Sequence, residues 1–148
     1  MIRADGAARG NPGPASAGAV LIDAARADAR EPDAPPISVI ARPLGVRTNN
    51  VAEYAAVVLA LRRAHRLGAV EVRLILDSKL VVEQLSGRWK VRDAGLRGFV
   101  EEARELLAGF ETWSIEHQPR EANRAADALA NLALDDPRLA AELEASGR

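Results

Sequence analysis

Cysteine is absent from the chain. No disulfide framework can form, and no zinc–thiolate site can be built. Such a chain suits a reducing cytosol, and a cytoplasmic location is the expectation. Aromatic residues make up only 3% of the sequence, so the core must come mostly from Ala, Val and Leu. The formal net charge is −1. Nothing global attracts a polyanion, and any contact with nucleic acid must rest on local patches. No apolar run approaches the roughly 20 residues that a membrane span needs, and no membrane contact is expected. The N-terminus carries Arg3 and Asp5 and lacks an apolar segment, so it does not read as a signal peptide.

What is present suffices for one domain. The chain has 148 residues, 48% of them apolar, enough for a real core. Its centre is Arg47-Thr48-Asn49-Asn50-Val51-Ala52-Glu53-Tyr54. Asn50 reads as an N-cap with Glu53 three residues on, where a carboxylate can bond back to the cap amide. Glu53 also heads a stripe of Val57, Ala60 and Ala64 at helical spacing. A bare carboxylate on an apolar stripe is expensive to bury, and a cation is one remedy.

The chain alternates strand and helix signals without an internal repeat or interdomain linker. Residues 1–4 form a short apolar start, ending at Asp5-Gly6 and a run of turn residues from Ala7 to Pro14. Strands are expected at 18–23, 37–42, 70–76 and 113–118. Residues 24–36, with Pro32, Pro35 and Pro36, read as a loop between strands whose tip should be mobile. Helices are expected at about 50–67, 79–85, 95–109 and 124–134. Residues 1–135 read as the domain, and 136–148 as a polar tail with at most a loose helical turn. Short connections make the first three strands an antiparallel meander. The last two are reached through helices and should run parallel by right-handed crossovers. The expected fold is α/β, a mixed five-stranded sheet with helices on both faces.

Four acids stand out by position: Asp5 at the end of the first strand, Glu53 in the first long helix, Asp77 after the most apolar strand, and Asp127 in the last helix. Each has an ordinary structural reading: a turn dipeptide, a capping box, a helix cap and a solvated helix position. In open α/β sheets, ligands bind beyond the carboxyl ends of parallel strands. If Asp5 and Asp77 stand on parallel neighbours, their charges need a cation. Oxygen ligands favour Mg²⁺, or Mn²⁺, over zinc. Two such ions about 4 Å apart serve in-line phosphoryl displacement.

The combination resembles the ribonuclease H type 1 family. The resemblance is carried by Asp5-Gly6 with Arg9-Gly10-Asn11-Pro12-Gly13-Pro14, then Thr48-Asn49-Asn50-Val51-Ala52-Glu53, then Asp77-Ser78. It is completed by His117-x-Pro-Arg-Glu-x-Asn123-x-x-Ala126-Asp127. It spans about residues 1–135 and implies a ribonuclease H-like fold. It also implies a metal-dependent endonuclease that cuts the RNA strand of an RNA–DNA hybrid, leaving 5′-phosphate and 3′-hydroxyl ends. By the same match Asp5, Glu53, Asp77 and Asp127 are the ligands of two divalent ions. His117 matches a mobile histidine that assists proton transfer or product release. Gly10, Asn11, Asn49 and Asn50 match positions that touch the minor groove and 2′-hydroxyls, and Arg47 is a candidate phosphate contact. A monomer is expected.

Three departures stand out, one being that residues 24–36 lengthen a hairpin loop to which no function is assigned. The long basic protrusion of many relatives shrinks here to Arg88-Trp89-Lys90-Val91-Arg92, where Trp89 and Lys90 are candidates for a reduced DNA-strand contact. The first strand has only four residues before Asp5, which implies a frayed edge or an upstream start. The alternative readings are a nuclease of the same superfold with a different substrate range, and a non-catalytic hybrid-binding module.

Overall fold

The computed structural model describes residues 1–147. Its element order is β1 (Ile2–Ala8), β2 (Gly13–Leu21), β3 (Ser38–Arg47), α1 (Asn49–Arg66), β4 (Glu71–Leu76), α2 (Lys79–Leu85), α3 (Ala94–Ala108), β5 (Thr112–His117), α4 (Arg124–Asp135) and α5 (Pro137–Gly147), with a 3-10 turn at Arg120–Asn123. The five strands form one sheet in the order β3-β2-β1-β4-β5. β1, β2 and β3 pair antiparallel, whereas β1–β4 and β4–β5 pair parallel. The expected topology is therefore the observed one. Among the described residues no helix is long and apolar enough to cross a membrane.

β1 corrects the sequence reading. It is the central strand, not a frayed edge, and it does not stop at Asp5. Asp5 pairs with Gly18 and the ladder runs on to Ala8↔Ala15. Asp5-Gly6 looks like a turn locally, but continued pairing with β2 through Gly18 and Ala17 outweighs that preference. The turn lies later, where Gly10 takes φ 101° and the Arg9 amide donates to the Pro14 carbonyl at 2.8 Å. β2 and β3 are longer than expected for the same reason, and β3 reaches Arg47.

Helices cover both faces. α1 and α3 share the larger core with Ile2, Ala4, Ala17, Ala19 and Leu74. α4 lies over the other face, where the Ser16 hydroxyl donates to the Ala130 carbonyl at 2.5 Å. The loop between β2 and β3 is anchored there too, with Ala29 and Ala34 buried beside Val20, Ile22 and Ile75. Beyond Pro137 the expected loose turn is a full helix. α5 buries Ala140 beside Ala41 and Ala133, and its Glu144 accepts from Arg42, from Arg63 at 3.0 Å and from the Ala41 amide at 3.1 Å. A charged surface hides these few small contacts from a periodicity reading.

Candidate metal centre

Two glycines set the site. A Cβ on Gly6 would collide with the backbone of Ala52 and Glu53, so only glycine lets the first turns of α1 lie on β1. A Cβ on Gly18 would collide likewise with Ala126 and Ala130 of α4. These close approaches bring two helices onto the strands beside Asp5.

The cap of α1 differs from expectation. Thr48, not Asn50, is the N-cap, and its side chain accepts from the Val51 amide at 3.2 Å. Glu53 therefore lies deeper than a capping-box partner, and the first turn of α1 holds no acid. The hydroxyl of Thr48 meets the capping need, which leaves Glu53 free to serve the cluster. The stripe below it, Val57, Ala60 and Ala64, is buried as its spacing predicts.

Asp5 comes from the middle of β1, Glu53 from α1, and Asp77 follows β4. Each offers an oxygen within 4.8 Å of the others. Asp5 is 5% exposed and Glu53 7%. Burial, with the charge of Asp77, raises the Asp5 carboxyl above the ordinary carboxylate range. Burial, with the charge of Asp5, raises Glu53 as well. Burial also raises Asp77, although hydrogen bonding from Asn123 and the charges of Arg120 and His117 act against the rise. Three acids that resist ionising together form a site short of positive charge.

A cavity of about 430 Å³ opens over the three, walled also by Asn49, Arg120, Asp127 and Asn131. Asp127, in the first turn of α4, lies on this wall, outside the tight trio. Arg120 meets it at 3.4 Å. His117, exposed at the end of β5, stands beside the trio with its Nε2 3.1 Å from the Asp77 carbonyl oxygen.

The candidate substrate contacts fall in two places. Gly10, Asn11, Arg47, Asn49 and Asn50 are exposed near the start of α1, where the Asn11 side chain accepts from the Asn49 amide at 2.9 Å. Trp89 and Lys90 lie elsewhere, on a cavity of about 460 Å³ that includes Arg97 and Arg104. Trp89 is 44% exposed and so is not a core residue. Arg120 and Asn123 belong to the site's surroundings, although as isolated polar residues in a loop they give no periodic signal.

An oxygen-only donor set with two buried carboxylates fits a hard divalent cation. A mixed sheet of this order, with acids converging from the middle of β1, from α1 and from the end of β4, defines the ribonuclease H fold class.

The comparisons narrow that class. A family model described as "Reverse transcriptase-like" matches residues 3–133. The chain is 47% identical over 132 residues to a ribonuclease HI of Halobacterium salinarum, covering 89% of this chain and 62% of that protein. The solved RNase H1 structure from that organism superposes with a TM-score of 0.83, covering 91% of this chain and 96% of that one. The Mycobacterium tuberculosis bifunctional protein Rv2228c is 43% identical over 91% of this chain, which spans 35% of its length. LC11-RNase H1, solved in complex with an RNA/DNA hybrid, is 33% identical with a TM-score of 0.81, covering 92% of this chain and 96% of that one. The chain thus spans under two thirds of those two curated relatives. It belongs to the ribonuclease H type 1 family, in the form without a long basic protrusion: only residues 86–93 separate α2 from α3.

Proposed function

We propose that this chain is a ribonuclease H: an endonuclease that hydrolyses the RNA strand of RNA–DNA hybrids with two divalent ions, Mg²⁺ or Mn²⁺. The products carry 5′-phosphate and 3′-hydroxyl ends. The observation that carries the reading is the convergence of Asp5, Glu53 and Asp77 from three separate elements, in a family member whose relative LC11-RNase H1 was solved with a hybrid.

Asp5, Glu53, Asp77 and Asp127 hold the ions. Bound divalent ions supply Lewis acidity that activates a water and offsets charge at phosphorus. Burial of Asp5 and Glu53 excludes bulk water from the inner wall, which strengthens charge interactions there. His117 stands at the rim, where imidazole suits proton exchange near neutral pH. Asn11, Asn49, and the backbone at Gly10 and Asn50 read the minor groove and its 2′-hydroxyls. Arg47 meets a phosphate. Trp89 and Lys90 hold the DNA strand. One chain supplies every acid, so a monomer suffices.

A panel of labelled RNA–DNA hybrid, double-stranded RNA and double-stranded DNA tests the reading. Hybrid should be cut at the RNA strand and the two homoduplexes spared. Preferential cutting of a homoduplex would move the chain to another nuclease class.

A further inference from the structure

We propose that Asn123 is the positioning residue that sets the Asp77 carboxylate against β1, and with it the spacing of the ion-holding acids. The inference rests on the ion-binding reading above. Asn123 is fully buried in the turn just before α4. Its Nδ2 donates to the carbonyl of Ala4, the residue before Asp5, at 2.9 Å. The same nitrogen lies 3.5 Å from Asp77 Oδ2. One amide group thus meets the backbone beside one acid and the carboxylate of a second. Its own main chain then enters the helix that bears Asp127 four residues on.

The residue type suits this role. An amide donates to two acceptors without charge. An acid there would add repulsion to a crowded cluster, and a lysine would compete with the ion. The amide also carries a cost, because its Oδ1 is buried with no protein partner. Such orphans are uncommon in folded proteins, and an apolar side chain would avoid this one. Holding down the local chain does not require Asn123 either. Arg3, also buried, already does so through Gln118 Oε1 at 2.8 Å and the Ala122 carbonyl at 3.0 Å. Arg3 makes no hydrogen bond to a carboxylate of the cluster, so it serves as the control.

The test is Mn²⁺ binding to the substrate-free protein by calorimetry, with melting temperature read in parallel. Asn123→Ala should weaken Mn²⁺ about tenfold or more, as loss of a ligand's supporting hydrogen bond does. Arg3→Met should lower the melting temperature and leave Mn²⁺ affinity unchanged. Unchanged affinity in folded Asn123→Ala overturns the proposal, as does equal weakening in Arg3→Met. If the parent protein binds no Mn²⁺, the ion-binding reading itself fails and this inference falls with it. Should Asn123→Ala not fold, the unmodified protein decides by NMR. The Asn123 side-chain amide signals should shift on Mg²⁺ saturation, and unmoved signals overturn the proposal.

Discussion

Gly6 shows how little a site can depend on. The carboxylates are ordinary, but their meeting requires α1 to rest directly on β1 without an intervening Cβ. Gly6→Ala should therefore cost about 3 kcal/mol in denaturant unfolding, the upper range for overpacking. It should also reduce cleavage in the fraction that stays folded, because Glu53 is pushed away from Asp5. A stability loss with full activity would show that the close approach serves packing alone. At this scale the sequence was partly legible. Glu53 was readable because its apolar stripe made a lone carboxylate expensive. Asp5 was recognisable as an acid of interest, but its place inside a strand was not, since Asp-Gly prefers turns and only pairing with β2 overrides that preference. Thr48 and Asn50 are both competent caps, and local sequence does not choose between them.

At the scale of elements, α5 and the 86–93 connection carry distinct expectations. Arg63 and Glu144 are largely buried side chains, 10% and 15% exposed. Glu144→Ala leaves the Arg63 charge without that partner, and should cost about 3 kcal/mol. Chemical denaturation reads this directly, and a loss below 0.5 kcal/mol, the scale of an ordinary surface substitution, would mean that α5 is a passive appendage. Burial pushes the Glu144 carboxyl up, but hydrogen bonds from Arg42 and Ala41 and the charge of Arg63 bring it below its ordinary value. Stability from this group is present above the unfolded carboxylate pKa and lost as pH falls through the lower folded one. The α2–α3 connection concerns substrate instead. Trp89→Ala should raise KM for hybrid about tenfold with kcat retained, as loss of one aromatic–nucleotide contact does. An unchanged KM would remove Trp89 from the DNA-strand contact. The pairing senses of the strands and the four main helices were legible because period and turn signals agree along the chain. α5 was not, because its contacts are a few small residues and two ion-paired arginines distant in sequence.

The whole molecule couples acid ionisation to stability. Asp5 and Glu53 are raised by burial and by neighbouring acids, and Asp77 by burial and the charge of Asp127, so the folded state binds more protons than the unfolded one above about pH 4. The stability slope with pH is then negative for this cluster. The stabilising contribution is full below the unfolded pKa and is lost as pH rises through the raised folded values. The ion-free protein should therefore melt progressively lower as pH climbs above the carboxylate range. Saturating Mg²⁺ should oppose that fall, and its apparent affinity should rise with pH because binding displaces protons. A melting temperature independent of Mg²⁺ at pH 8 would contradict the coupling.

The central claim is that acids distant along the chain act together through divalent ions on an RNA–DNA hybrid. One gel tests it most directly: an end-labelled hybrid incubated with the parent protein and with Asp77→Asn, each in Mg²⁺ and in chelator. The account predicts RNA-strand cleavage by the parent in Mg²⁺ alone, and none by a folded Asp77→Asn. Cleavage that survives the chelator or the substitution would contradict it.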